Sequence, residues 1–248
     1  MNYQLLTISL KFTDTGIVIS VQKFSDSGLL VTLFSKNHGI VKGMVKGQKK
    51  NQSILQIGNQ ISFEWNARLE EHLGMLTISL EKAYSLLHFS NYLKILSITS
   101  VAALIGKMLK EKEPMNNLYN DFVNYLENLK SENWLTEYSL FELSLLSHCG
   151  FGFDFNRCAV SEVNDNIIYI SPKTASAVSA SVGEPYKDKL FLIPKFFTDR
   201  DHHASYEEII NAINITRYFI TKNFFAEGLA KPPQASENFY AEIYAIVN

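Results

Sequence analysis

The chain has 248 residues, 46% of them apolar, and a formal charge of −2 at neutral pH. That length buries the core of one large domain or two small ones, and no 18-residue apolar run is present to span a membrane. The start "MNYQLLTISLKFTD" lacks a basic n-region and a long apolar stretch, and Cys149 and Cys158 are too few for a disulfide framework, so the expected location is cytoplasmic.

The charge is unevenly spread. Residues 1–50 hold seven lysines against Asp14 and Asp26, a local excess of positive charge on an otherwise acidic chain. A basic end on an acidic body suits a polyanionic partner, although a window of this size also drifts by a few charges by chance.

In chain order, the first 85 residues read as strands. "TGIVISVQKF" (15–24) is β-branched and apolar, and "SDSG" (25–28) is a turn in which Gly28 is free to take a positive φ. "LLVTLFSK" (29–36), the turn "NHG" (37–39) and "IVKGMVKG" (40–47) follow. After "IGNQ" (57–60), "ISFEWNARL" (61–69) puts Ile61, Phe63, Trp65, Ala67 and Leu69 on one face. "MLTISLEKAYS" (75–85) alternates in the same way. Five short strands at this spacing suit an oligonucleotide-binding (OB) barrel. Met1–Leu10 leaves room for an extra strand.

Beyond Tyr84 the period changes to helical, over 90–114, 116–130 and 133–150, the last stopping at Gly150. Residues 151–200 lose that period and read as short strands and loops. Ser205 and Glu208 then form a capping box that opens a final long helix. The fold class expected is α+β: a five-stranded OB-type barrel in a domain 1–84, then a mostly helical domain 85–248 with an insert at about 151–200.

"HGIVKGMVKGQKKN" (38–51) carries most of the basic signal. Pleating separates Val41, Gly43, Val45 and Gly47 from His38, Ile40, Lys42, Met44 and Lys46. The second set mixes cations with apolar surface, and Lys49 and Lys50 extend it. Thr32, Phe34 and Lys36 on the preceding strand are positioned to line the same face. Single-stranded nucleic acid needs this pairing, cations for phosphates and apolar platforms for bases. An edge strand protected from aggregation by lysine has the same composition. The candidate nucleic-acid-binding residues are therefore Phe34, Lys36, His38, Lys42, Lys46, Lys49, Lys50 and Arg68, although general aromatic burial favours the core for Phe24, Phe34 and Trp65.

"TGIVISVQKFSDSGLLVTLFSKNHGIVKGMVKGQKK" resembles the N-terminal barrel of the RecO family of bacterial DNA repair and recombination mediators. The resemblance continues through 55–83 and returns in "FELSLLSHCGFGFDFNRCAVS" (141–161) and "YISPKTASAVS" (169–179). It implies binding of single- and double-stranded DNA, annealing of complementary strands, and work with a RecR-like mediator. It also implies contact with the acidic tail of single-strand-binding protein, assistance to a RecA-type recombinase, and a place near the nucleoid. Many members of that family hold a structural zinc on two Cys-x-x-Cys pairs. Here the first pair reads "CAVS" (158–161) and the second has no cysteine, so the expectation is no zinc and no cofactor, with packing by Phe151, Phe153, Phe155 and Tyr169 in its place.

No enzyme is expected. "GMVKGQKK" lacks the spacing of a phosphate loop, "GFGFDF" follows a helix rather than a strand, and no nucleophile elbow or zinc-protease motif occurs. His148 and Cys149 are adjacent on a helix and diverge by about 100°. The alternative to a DNA mediator is a barrel that binds protein or RNA without annealing.

Overall fold

The computed structural model describes residues 10–69, 72–161, 166–226 and 230–247. By internal contacts the chain forms two compact units, residues 1–127 with 233–246, and residues 128–232 with the last two.

Five strands of the first unit close into a barrel: Leu10–Lys23 (β1), Gly28–Ser35 (β2), Gly39–Lys46 (β3), Gln60–Ala67 (β4) and Gly74–Lys82 (β5), in the order β1-β2-β3-β5-β4. A short helix, Gln48–Asn51 (α1), follows β3. The long β1 serves two neighbours. Its first half, Leu10–Ile17, pairs with β4, and Gly16–Lys23 pairs with β2, with a bulge between Val18 and Ser20. Closure comes from a short parallel contact of Gly43 and Met44 with Gly74 and Met75. Both glycines permit close approach: a Cβ on Gly43 would lie 2.6 Å from Leu76 Cγ, and one on Gly74 2.1 Å from the Trp65 indole nitrogen. Inside the barrel lie Val31, Leu33, Val41, Val45, Ile61, Phe63, Trp65 and Leu76, as the alternation predicts.

Tyr84–Leu87 (α2), Tyr92–Met108 (α3) and Asn116–Asn128 (α4) continue the same unit. Asn91 caps α3 by accepting from the Lys94 amide. The helix ends at Met108 rather than near Pro114, and the segment after it returns to β3: Glu111 bridges Ile40, and the Lys112 amide donates to the Ile40 carbonyl at 3.2 Å. Gly28 needs no positive φ, contrary to expectation; Gly39 takes that conformation instead, at 67°.

The second unit contains Trp134–Leu146 (α5), Ile167–Ile170 (β6), Ala177–Ser179 (β7), Ala180–Gly183 (α6), Phe191–Leu192 (β8) and Tyr206–Phe224 (α7). α5 gives way after Leu146 to a π-helical turn, Ser147–Phe151, in which Gly150 leaves helical geometry at φ 87° where the helix was expected to stop, and the Ser205–Glu208 capping box opens α7 as expected. Glu142 on α5 is fully buried and accepts from the Tyr138 and Thr216 hydroxyls, the latter on α7. The insert is a three-stranded sheet, β7-β6-β8. Gln234–Val247 (α8), which belongs mostly to the first unit, was not expected from sequence.

In the second unit Cys158 is buried against Tyr169 and Val178. Burial pushes its thiol up, but hydrogen bonds from the Ser161 hydroxyl and amide and from the Ser179 and Val160 amides outweigh it and hold the thiol at about 6. Serine oxygens in place of thiolates do not make a structural zinc donor set, and the described residues contain no cluster of three His, Cys, Asp or Glu side chains fit for a metal. Phe153 packs edge-on to Phe219 at 4.9 Å and stacks on Phe155 at 5.8 Å nearby in sequence.

Candidate nucleic-acid interface

Strand register decides which side chains share the outer face of the barrel, because residues opposite each other in a ladder project to the same side. Three rows result. Ser20 pairs with Thr32 and Thr32 with Lys42; Gln22 pairs with Leu30 and Leu30 with Met44. Gly28 pairs with Lys46, and the Phe24 amide donates to the Gly28 carbonyl at 3.0 Å. Met75 of β5 lies beside Met44.

One part of the outer face is covered. Ile17, Phe34 and Ile40 form the next row, and all three are buried. Phe34 is 0% exposed and packs edge-on to Tyr119 of α4, with ring centroids 5.7 Å apart. Its candidacy as a stacking platform is thereby corrected: the α4 side chain occupies the ring. The rows from Ser20–Thr32–Lys42 onward stay accessible, with Thr32, Leu30 and Met44 half-buried and Lys42 and Lys46 exposed.

Phe24 corrects the opposite expectation. It is 55% exposed where burial was expected, at the open end of the β1–β2 turn. The signal was in the sequence: Phe24 continues the outward alternation of Ser20 and Gln22 directly into a turn.

The cations distribute as follows. Lys42 and Lys46 stand four residues apart on β3, about 13 Å, with Met44 between them. Gly47, at φ 83°, turns the chain into α1, where Lys49 and Lys50 are exposed. The Gly47 amide donates to the Ser27 carbonyl at 3.0 Å, which ties this basic end to the turn that carries Phe24. Lys36 and His38 sit at the other end of β3, in the turn from β2. Arg68 is exposed after β4 and is not brought into the rows. Sequence reasoning did not find the partner of Lys42: Glu111, 2.5 Å away.

A second feature adjoins this face. A cleft of about 720 Å³ opens beside β3, walled by Phe12, Ile40, Trp65 and Leu73, with His38, Lys42 and Glu111 on its rim. Phe12 stacks between the His38 imidazole (centroids 3.9 Å) and Trp65 (5.2 Å), and the Trp65 indole donates to the Lys42 carbonyl at 3.0 Å. Asp14 holds His38 by accepting at Nδ1 from 2.8 Å. Burial pushes the Asp14 carboxyl up, but hydrogen bonds from Ser35, His38, Asn37 and Thr15 outweigh it and leave it below the usual carboxylate value.

These features define an α+β protein led by a closed five-stranded barrel, with one open face that mixes lysine, methionine, leucine and phenylalanine. The family model described as Recombination protein O N terminal matches residues 9–84, and that described as Recombination protein O C terminal matches residues 90–229. Among curated relatives, "DNA repair protein RecO" of Rickettsia africae (strain ESF-5) is 38% identical over 213 residues, which is 86% of this chain and 90% of the relative. The protein of the same name from Rickettsia akari (strain Hartford) is 36% identical over 231 residues, 93% and 97% of the two chains. The chain belongs to the RecO family. Among the described residues, no helix is long and apolar enough to cross a membrane.

Proposed function

We propose that this chain is a non-catalytic DNA-binding mediator of DNA repair, which holds single- and double-stranded DNA on an OB-type barrel and anneals complementary strands. Its partners in this reading are a RecR-like mediator and the acidic tail of single-strand-binding protein, and the outcome is loading of a RecA-type recombinase. The names of its relatives support the repair role. The single observation that carries the DNA-binding part is the register that puts Lys42, Met44, Lys46 and Leu30 on one open face, with the exposed Phe24 in the turn beside Gly28. Cations there displace condensed counterions, and the apolar side chains give unstacked bases a surface.

Annealing of two complementary labelled oligonucleotides, with and without single-strand-binding protein, tests the proposal. Acceleration in both conditions supports it. Oligonucleotide binding without acceleration in either condition would reduce the chain to a binding module.

A further inference from the structure

We propose that the cleft beside β3 receives one unstacked nucleobase from a strand lying on the open face, with Glu111 as its hydrogen-bond acceptor. The inference rests on the DNA-binding reading above and assigns a ligand class to a cavity next to that face.

Four observations converge. The cleft, at about 720 Å³, lies within the range of about 300–1,000 Å³ typical of small-ligand pockets, and it has their character: apolar walls with a few polar groups at the mouth. Its aromatic wall is a fixed column, Trp65–Phe12–His38, with the imidazole anchored by Asp14, so a planar ligand meets rings that are already in place. Lys42 belongs both to the open face and to the cleft, so a strand whose phosphate meets Lys42 has its base beside the opening. Finally, Glu111 presents a carboxylate on the rim. One oxygen accepts from Lys42, and no partner is found for the other among the described residues.

The segment that carries Glu111 is held in place. Its backbone is bridged to Ile40, the Asn116 side chain donates to that of Asn37 at 3.1 Å, and Lys112 adopts a left-handed backbone at φ 60°, which side-chain-bearing residues rarely take. The Glu111 oxygen accepts from the amino groups and ring N–H of bases, donors that a phosphodiester lacks, so it favours the base over the backbone as occupant. A protein segment is the competing occupant. Its claim is weaker, because the aromatic column and the shared lysine suit a nucleotide.

The test reads Trp65 directly. With Trp134→Phe, Trp65 is the only tryptophan left. The protein is titrated at low salt with a single-stranded deoxycytidine oligomer and with an abasic deoxyribose-phosphate oligomer of equal length. The deoxycytidine oligomer quenches Trp65 emission with the midpoint of its binding, and the abasic oligomer binds more weakly without quenching. Glu111→Leu lowers the ratio of the two affinities by about tenfold, the scale of one base contact. Labelling the unsubstituted chain with 5-fluorotryptophan gives the same readout by 19F NMR if Trp134→Phe does not fold. Binding of the deoxycytidine oligomer with Trp65 unchanged overturns the pocket and leaves the cleft to a protein segment. Equal quenching by the abasic oligomer also overturns it. If neither oligomer binds, the DNA-binding reading fails, and the pocket with it.

Discussion

Replacing Lys46, Lys49 and Lys50 together by glutamine removes three charges from one end of the open face without touching the barrel core. Lys42 is left in place because substituting it would also break its ion pair with Glu111 and change two charges at once. Each phosphate contact on a single strand contributes a slope of about −0.7 to log affinity against log salt, so three contacts contribute about −2. Raising salt from about 50 to about 200 mM should therefore weaken the unsubstituted protein about 20-fold more than the variant. Fluorescence anisotropy of a labelled oligothymidine over that range gives both slopes. All three side chains are exposed, so thermal stability should move little. A slope change under about 0.5 would refute the reasoning: phosphates would then lie somewhere other than this end of β3 and α1.

Phe24→Ala, at an exposed turn, should leave the melting temperature unchanged and weaken single-strand binding about 5- to 10-fold, measured by anisotropy. Glu111→Gln releases Lys42 and should raise affinity for the abasic oligomer, which makes no base contact, up to about fivefold at low salt, the scale of an exposed ion pair. Gly74→Ala drives a methyl into the Trp65 indole and should cost about 3 kcal/mol in denaturant unfolding, with a shifted tryptophan emission maximum. Asp14 has a depressed carboxyl, so its contribution to stability is present above the unfolded carboxylate pKa of about 3.9 and is lost as pH falls through its folded value. Asp14→Asn should flatten that acidic limb of the stability curve, read by urea unfolding from pH 6 down to about pH 3.

The barrel was legible because most of its strands obey a two-residue period. β4 is the clearest case, with Ile61, Phe63, Trp65 and Ala67 all buried. β1 begins at Leu10 rather than at Thr15, and the stretch before Thr15 includes Asp14, a carboxylate that is no strand former by local pattern. Its burial is satisfied by Ser35, Asn37 and His38, which are more than twenty residues away and invisible to a local pattern. α8 follows Pro232 and Pro233, and proline's fixed φ suits the entry to a helix, a start signal that the sequence reading did not use.

The candidate site was half legible. The alternation on β3 separated Lys42, Met44 and Lys46 from Val41, Gly43 and Val45 correctly. What it could not give was the state of the outward side, because that depends on what packs there. Phe34 and Ile40 are outward too, yet α4 and the segment after α3 cover them. Phe24 escapes that cover and stays exposed. Glu111 is 69 residues from Lys42, so only the folded chain brings them together.

Methionine methyl groups offer the most direct test of the open face. Met44 lies at the centre of the open face with Met75 beside it, whereas Met108 is buried at the end of α3. In a 13C-methyl-methionine spectrum titrated with an unlabelled single-stranded oligonucleotide, the Met44 and Met75 signals should move together, in proportion to the bound fraction, while Met108 stays fixed. An oligonucleotide shown by anisotropy to be bound, with the Met44 methyl unmoved, would contradict the assignment of this face.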